Sequence, residues 1–195
     1  MKCAIATMES VSPYSQSRPH NLAKLDRENS ADYEERTWRN RLHVNEAGNV
    51  FIPPMAFKNC LSEAAKFLSL QIPGKGKATY TKHFEAGVLV MDGLELPIKA
   101  EDAVGETLFL NADGKRGSGT RVWKTYPVIH AWEGDVTFWV LDETITEDVF
   151  RRVLTEAGNF IGIGRWRPRN NGMYGRFAVK AISWQAVDSS EMIAA

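Results

Sequence analysis

Apolar residues recur every three or four positions in two parts of the chain, which is the spacing of one face of an α-helix. The first part, residues 51–70, has the apolar positions Phe57, Cys60, Leu61, Ala64 and Leu68. The second, residues 146–161, has the apolar positions Val149, Phe150, Val153, Leu154, Ala157, Phe160 and Ile161. Thr144 and Glu147 have the spacing of a capping box at the start of the second helix, and Gly162 is expected to end it.

Shorter apolar runs predict β-strands. They cover residues 2–8, 78–91, 94–98, 121–129, 135–141 and 177–184. The tripeptide Trp132-Glu133-Gly134 lies between two of these runs, 121–129 and 135–141. A short glycine-containing turn between two strands is typical of a β-hairpin. We therefore predict that these two strands pair with each other.

The predicted elements follow the order strand, helix, strand, strand, helix, strand. This βαββαβ order predicts an α+β fold of the ferredoxin-like (RRM-like) type, in which both helices cover one face of an antiparallel sheet. We expect a single domain over residues 1–195 with two long insertions. Residues 14–46 form an insertion after the first strand, and residues 74–130 form a β-rich insertion after the first helix.

The insertion at residues 14–46 is rich in Ser, Arg, Asn, Asp and Glu and shows no clear periodicity. Such a segment is disordered, or it becomes ordered on a partner. Its aromatic residues argue against complete disorder, and residues 32–41 can form a short charged helix. The tail after Asp188 is expected to fray.

Charge is distributed unevenly along the chain. There are 24 basic and 24 acidic side chains, and the resulting net charge of zero argues against a general polyanion binder. Residues 74–83, 114–124 and 157–187 nevertheless contain no acidic residue, and together they carry twelve basic ones. A chain divided in this way can bind phosphate groups on one face and present acidic residues elsewhere, unless the acidic part is simply solvated surface.

No pattern in the sequence indicates a cofactor, a metal ion or a membrane. Cys3 and Cys60 lack a CxxC spacing, the four histidines are scattered, and the Walker spacing G-x-x-x-x-G-K-[ST] is absent. No apolar run approaches the roughly 20 residues of a membrane span. We therefore expect a cytoplasmic protein that needs no cofactor and no metal.

The most distinctive segment is the loop between the second helix and the last strand, residues 162–176, which we call the Gly–Arg loop. It contains four glycines and four arginines together with Trp166 and Tyr174. Glycine lets a ligand approach the backbone closely, arginine binds phosphate bidentately and aromatic rings stack on bases. This combination predicts nucleic-acid binding. The alternative is a solvated loop whose glycines serve tight turns and whose tyrosine packs on the sheet.

The candidate nucleic-acid-binding residues lie in the three basic segments. In the Gly–Arg loop they are Gly162, Gly164, Arg165, Trp166, Arg167, Arg169, Gly172, Tyr174, Gly175 and Arg176. In the other two segments they are Lys75, Lys77, Lys82, Lys115, Arg116, Arg121 and Lys124. Trp166, between two arginines, is the strongest stacking candidate, and Trp123 is the second.

The pattern R-x-R-P-x-x-x-G-x-x-G-R of residues 165–176, between the last helix and the last strand of a ferredoxin-like fold, resembles the RAMP superfamily of CRISPR proteins. It most resembles the backbone subunits, including those of type IV systems, which polymerise along a guide RNA. The same module occurs in phage and other mobile-element proteins. The resemblance implies a non-enzymatic protein that binds single-stranded RNA, or single-stranded DNA, through phosphate and stacking contacts.

The same resemblance implies how the chain assembles. Copies would bind head to tail along the nucleic acid as a filament, with other CRISPR-complex subunits as further partners. Residues 14–46 would be a thumb that reaches a neighbouring subunit or covers the strand, and the two other basic segments would lie along the RNA path.

Two other functions fit the sequence. Some RAMP relatives cleave RNA without a metal, and His83, with Tyr80 and Lys82 nearby, can supply a general acid and base. Others use an aspartate of the thumb, for which Asp26 and Asp32 are the candidates. A non-catalytic module that engages another CRISPR complex is the remaining alternative. Phosphate and stacking contacts alone do not distinguish RNA from single-stranded DNA.

Overall fold

The computed structural model describes residues 1–112 and 119–188. Its strands are β1 (Lys2–Ser10), β2 (Tyr14–Ser15), β3 (Asn49–Ile52), β4 (Val88–Leu89), β5 (Leu94–Lys99), β6 (Val104–Asn111), β7 (Arg121–Ile129), β8 (Glu133–Val140) and β9 (Phe177–Ala186). Its α-helices are α1 (Ser30–Thr37), α2 (Pro54–Leu68), α3 (Thr81–Gly87) and α4 (Glu147–Glu156). The candidates Lys115 and Arg116, and the tail from residue 189, lie outside the described residues.

A four-stranded antiparallel sheet, in the order β4-β8-β1-β9, forms the centre of the protein. Side chains alternate between the two faces of a strand, and Ala4, Ala6 and Met8 of β1 are fully buried on one face. The helices cover this face. The ring centroid of Phe150 in α4 lies 5.3 Å from that of Phe138 in β8. The protein is therefore an α+β protein built on antiparallel sheets.

Two smaller antiparallel sheets lie outside the central one. The first contains β2, β7 and β6, and the second contains β3 and β5. We call β6 and β7 together the β6–β7 ribbon. Residues 14–46 pack on this ribbon, because the buried carboxylate of Glu34 accepts hydrogen bonds from Arg41 Nη1 at 2.8 Å and from the backbone N of Thr125 at 2.7 Å. The predicted short charged helix is confirmed as α1, which continues into a 3₁₀ turn, Trp38–Arg41.

Both predicted long helices are confirmed. α2 has Pro53 at its N-cap and Pro54 in its first position, where the missing N–H of proline costs nothing. Residues 51 and 52, which we assigned to this helix, belong to β3 instead. None of the helices in residues 1–112 and 119–188 is long and apolar enough to cross a membrane.

The ends of α4 are set by Thr146 and Gly162. The Thr146 side chain accepts a hydrogen bond from the backbone N of Val149, so it caps the helix. The predicted capping box at Thr144 is wrong, because the backbone N of Thr144 donates to the Asp142 carboxylate at 2.8 Å, outside the helix. After α4 comes a π-helical turn, Ala157–Ile161, and Gly162 ends it with a φ of 70°, as predicted.

The predicted hairpin of residues 121–129 and 135–141 is wrong. β7 pairs with β6 and β2, whereas β8 pairs with β1 and β4 in the central sheet. The backbone N of Trp132 donates to Ser10 Oγ at 3.0 Å, so the short connection joins two sheets. A turn signal is local, whereas the pairing partner of a strand is chosen by contacts distant in sequence.

Residues 74–130 also differ from the predicted β-rich insertion. The run 78–91 was predicted as β-like, but half of it forms α3, followed by the two residues of β4. Phe84 of α3 stacks on Phe150 of α4 with ring centroids 6.5 Å apart, and such tertiary packing overrides local propensity. β4 belongs to the central sheet. The β-rich insertion therefore begins only at β5, the first strand of residues 74–130 that lies in one of the two smaller sheets.

Candidate nucleic-acid interface

Backbone hydrogen bonds attach the Gly–Arg loop to the chain that follows β1. The backbone N of Gly175 donates to Pro13 O at 2.7 Å, and that of Arg165 donates to Ser15 O at 2.9 Å. Across the loop, the backbone N of Ile163 donates to Gly175 O at 2.9 Å. The loop is therefore fixed to the fold at both ends.

None of the four loop glycines has room for a side chain, and the overlap is tightest at Gly172 and Gly175. A Cβ on Gly172 would overlap the carbonyl group of Trp166, and a Cβ on Gly175 would overlap that of Ile163. Gly175 also has a φ of 74°, which other residues rarely adopt. At these two positions the close approach is to the backbone of the loop itself, so these glycines set the shape of the loop.

The side chain of Arg165 is the centre of the candidate interface. Its guanidinium carbon lies 3.4 Å from the ring centroid of Tyr126 and 3.9 Å from that of Trp166. Its Nη1 atom is buried and has no hydrogen-bond partner among the described residues. Burial lowers the pKa of Arg165, while Tyr126, Tyr174 and Glu106 favour its charged form. A buried donor of this kind is suited to an anionic acceptor.

A cleft of about 890 Å³ lies between the Gly–Arg loop and the β6–β7 ribbon. This volume lies within the range of ligand-binding pockets. Among the residues lining it are five of the predicted binding residues, namely Lys124, Arg165, Trp166, Gly172 and Tyr174. The tertiary structure thus places the Gly–Arg loop opposite one basic residue of the second basic segment.

Trp166 and Tyr174 form an aromatic pair in this cleft. Their ring planes are 5° apart and their centroids are separated by 6.2 Å. Trp166 is 38% exposed, so part of its ring is accessible to a ligand. The Tyr174 hydroxyl donates a hydrogen bond to the carboxylate of Glu106 on β6. Burial, as the larger cause, and the hydrogen bond with Glu106 together raise the pKa of Tyr174 to about 12.

The other loop arginines have partners within the protein. Arg167 Nη2 and Arg169 Nε each lie 2.9 Å from a carboxylate oxygen of Glu63 on α2. Arg176 Nη1 donates a hydrogen bond to the backbone carbonyl of Asn159. These contacts attach the loop to the helices. A phosphate that binds Arg167 or Arg169 must therefore compete with Glu63.

Four further basic candidates among the described residues, Lys75, Lys77, Lys82 and Arg121, do not line the cleft. Arg121 lies on β7, and strand alternation places it on the face opposite Lys124. Lys75 and Lys77 are exposed in the turn between α2 and α3, and Lys82 is exposed in the first turn of α3.

Trp123, the second stacking candidate, lies on the same face of the ribbon as Arg121. It is 62% exposed, and its ring centroid is 5.0 Å from that of Phe109 on β6. A base stacked on Trp123 would therefore lie on the side of the ribbon that faces α1, away from Arg165.

His83, considered for RNA cleavage, lies far from the cleft. Its Nδ1 is 2.6 Å from Asp142 Oδ2. Burial acts to raise the pKa of Asp142, but hydrogen bonds from His83 and Thr144 outweigh it, and the pKa is lowered. Asp142 comes two residues after Val140, which pairs with Lys2 at the start of β1. The Gly–Arg loop instead contacts the chain just beyond the other end of β1. The nine residues of β1 span about 26 Å.

The two thumb aspartates make local contacts. Asp26 is exposed and lies 3.9 Å from Arg27, and Asp32 accepts a hydrogen bond from Asn29 at 2.7 Å beside the start of α1. Within the described residues, no group of three His, Cys, Asp or Glu side chains is arranged to hold a metal ion.

Among the cleft residues that sequence reasoning missed are Tyr126 and Glu106, which contact Arg165 and Tyr174. Tyr126 follows Lys124 by two positions, so strand alternation already places both side chains on one face. That signal was present in the sequence. Glu106 comes from β6, and no local pattern indicated that this strand would face the Gly–Arg loop.

Comparisons with known proteins bear on the fold. No family model matches the chain, and no curated protein matches it. A chain of the type III-B Cmr-beta complex bound to cognate target RNA superposes with a TM-score of 0.54 at 11% identity, over 94% of this chain and 61% of that chain. Cmr6 from Pyrococcus furiosus gives a TM-score of 0.48 at 12% identity, over 92% of this chain and 99% of Cmr6. A chain of a CRISPR RNA-guided surveillance complex gives 0.41 at 9% identity, over 93% and 68% of the two chains.

The similarity to the Cmr-beta chain establishes the type of fold. The superposition, with a TM-score of 0.54, covers 94% of this chain. This chain spans about 61% of the length of its counterpart. The protein thus shares the fold of that chain, and the predicted resemblance is confirmed at the level of the fold. At 11% identity the similarity concerns the fold alone.

Proposed function

We propose that this chain is a CRISPR-associated subunit that binds single-stranded RNA in the cleft between the Gly–Arg loop and the β6–β7 ribbon. The observation that carries this proposal is the buried Nη1 atom of Arg165, which has no hydrogen-bond partner among the described residues. A buried charged donor without an acceptor costs free energy. A phosphate oxygen of the strand supplies that acceptor.

Other residues of the cleft suit the remaining parts of a strand. Lys124 adds a second positive charge, and the exposed part of Trp166 offers a stacking surface. Stacking of one base on an aromatic ring contributes about 1–3 kcal/mol. The fold shared with a chain of an assembly bound to target RNA supports RNA rather than DNA as the ligand.

The finer architecture is part of the proposal. β1, α2, β4, β8, α4 and β9 follow one another as a βαββαβ unit, and the sheet order supports a ferredoxin-like core. Residues 14–46 then follow the first core strand as the thumb. Leu22 and Leu25 in this segment are 45% and 61% exposed, which supports a contact with a neighbouring protein chain.

On this basis copies of the chain assemble head to tail along the RNA in the cytoplasm, as in a type IV-like backbone, alongside other CRISPR subunits. The role is binding rather than catalysis. The residues of the cleft are suited to phosphate and base contacts, and the His83–Asp142 pair lies at the other end of the central sheet.

The test is the affinity of the purified full-length chain for a labelled oligouridine RNA at low salt, measured by fluorescence anisotropy. We expect Arg165→Gln and Lys124→Gln each to weaken binding by about tenfold. Arg152→Gln, an exposed arginine on α4, is the matched control and is expected to bind like the wild type. Thermal melting of each variant separates lost binding from lost folding.

Sizing of the same samples tests assembly. A large, RNA-containing species that shrinks on ribonuclease treatment supports the head-to-tail arrangement. A wild-type chain that binds no RNA at low salt would overturn the proposed function, and the module that engages another CRISPR complex would take its place.

A metal-independent endoribonuclease is the second candidate, favoured by one observation. The 2.6 Å hydrogen bond between His83 and Asp142 orients the imidazole as a general base requires. Incubation of labelled RNA with the protein in a chelating buffer tests it. Cleavage that His83→Gln abolishes would support this candidate, and intact RNA would remove it.

A further inference from the structure

The cleft contains a carboxylate that phosphate binding does not explain. Glu106 lies on β6 directly opposite Tyr126 of β7, and both residues line the cleft with Arg165. Glu106 accepts a hydrogen bond from the Tyr174 hydroxyl and favours the charged form of Arg165, but a carboxylate also repels phosphate groups, so backbone binding alone does not account for it. Carboxylates in nucleic-acid interfaces accept hydrogen bonds from the amino and imino groups of bases. Glu106 therefore indicates that a base enters the cleft.

The aromatic pair orients such a base toward Glu106. A phenol donates its hydrogen bond within the plane of its ring, so the carboxylate that accepts from Tyr174 lies at the edge of that ring. The ring of Trp166 is parallel to that of Tyr174 within 5°. A planar base stacked on the accessible part of Trp166 would lie parallel to the ring of Tyr174, at whose edge the Glu106 carboxylate lies.

The chemistry of the carboxylate selects among the bases. An ionised carboxylate only accepts hydrogen bonds, and its two oxygens can accept from two parallel donors. The Watson–Crick edge of guanine offers two adjacent donors, N1–H and N2–H. Adenine and cytosine offer an amino group beside a ring nitrogen that is itself an acceptor, and uracil offers one N–H between two carbonyls. Guanine is therefore the base that Glu106 accommodates without repulsion.

We propose that the cleft binds a single guanine of the RNA strand, stacked on Trp166 and hydrogen-bonded through N1–H and N2–H to Glu106. This rests on the proposed function, because it names the base that the same cleft receives. A cleft of about 890 Å³ has room for one nucleotide together with its phosphate at Arg165.

The test compares oligouridine RNAs of one length that carry at their centre a uridine, an adenosine, an inosine or a guanosine. Inosine retains N1–H and lacks the N2 amino group, so it isolates one of the two hydrogen bonds. We expect the guanosine strand to bind at least about tenfold more tightly than the adenosine strand, with the inosine strand between them.

Variants identify the residue responsible. Glu106→Gln keeps an oxygen that accepts from Tyr174, but it replaces one acceptor by an amino group, so the preference for guanosine is expected to fall below about twofold. Glu101→Gln, an exposed acid in the turn before β6, is the matched control and should keep the preference. If Glu106→Gln does not fold, competition by free GMP and AMP on the wild-type protein decides between the bases.

The outcomes separate the two proposals. Equal binding of all four strands by the wild type overturns the guanine site and leaves RNA binding in place. A preference that survives in Glu106→Gln also overturns it. Failure of every strand to bind at low salt overturns the proposed function, and the guanine site with it.

Discussion

The guanidinium carbon of Arg165 lies 3.4 Å from the ring centroid of Tyr126, and that of Arg41 lies 4.9 Å from the same centroid. One aromatic ring of the β6–β7 ribbon therefore contacts arginines from both the Gly–Arg loop and residues 14–46. Cation–π contacts contribute about 0.5–2 kcal/mol each, the more so when water is excluded. Tyr126 thus connects the Gly–Arg loop with residues 14–46.

Replacement of Tyr126 tests this connection. We expect Tyr126→Leu to lower the free energy of unfolding by about 1–3 kcal/mol and to weaken RNA binding, because it removes the ring beneath both arginines. Tyr126→Phe keeps the ring and should lose less stability and less RNA affinity than Tyr126→Leu. Denaturant unfolding and anisotropy measure the two effects, and equal behaviour of the two variants would contradict the role of the ring.

Glu63 competes with phosphate for two loop arginines, so its removal should strengthen RNA binding. In Glu63→Gln, Arg167 and Arg169 lose their carboxylate partner and become available to the strand. The pairs are partly exposed, so the loss in stability should stay below about 1 kcal/mol. Glu147→Gln, which removes the separate ion pair with Arg151 on α4, is the control and should leave affinity unchanged. Weaker binding by Glu63→Gln would show instead that Glu63 holds the arginines in their binding position.

The buried ion pair of Glu34 and Arg41 should matter more for stability. Their side chains are 10% and 13% exposed, and Glu34 also accepts from the backbone of Thr125. Glu34→Ala leaves the buried Arg41 without a carboxylate partner, for which we expect a loss of about 3 kcal/mol in the free energy of unfolding. Glu35 is the exposed neighbour, and Glu35→Ala should change the free energy of unfolding by less than about 0.5 kcal/mol. Urea unfolding of both variants makes the comparison.

Gly172 is expected to tolerate no side chain. Gly172→Ala places a Cβ against the Trp166 carbonyl, and the loop must shift to relieve the overlap. Overpacking of this kind costs about 1–3 kcal/mol. Gly119→Ala is the control, because a Cβ there meets no atom of the described residues within 4 Å. Thermal melting tests stability, and RNA affinity should fall only in Gly172→Ala.

Tyr174 predicts a loss of stability at alkaline pH. Its pKa is about 12 in the folded protein and near 10 in an unfolded chain, so folding favours the protonated phenol. Its contribution is complete below about pH 10 and is lost as the pH rises from about 10 to 12. Burial also raises the pKa of Tyr14, so the informative quantity is the difference between the wild type and Tyr174→Phe. The difference in free energy of unfolding between the two proteins should shrink as the pH rises through this range, as measured by denaturant unfolding at each pH.

The sequence by itself determined the parts of the fold that depend on local periodicity. The apolar stripes predicted α2 and α4, because a helix that covers a sheet must repeat its apolar positions every three or four residues. The short apolar runs that became β1 and β9 indicated strands, and the glycines and arginines marked the loop between α4 and β9. Each of these features depends on a pattern within about ten to twenty neighbouring residues, which can be recognised without knowledge of the fold.

Only the tertiary structure decided which segments meet. The turn before β8 suggested that β7 and β8 pair, but β8 joins β1 in the central sheet and β7 joins β6. Arg165 meets Tyr126 and Glu106 because that ribbon packs against the Gly–Arg loop. Such pairings depend on the combined burial and hydrogen bonding of segments far apart in the chain, and no local pattern of residues specifies them.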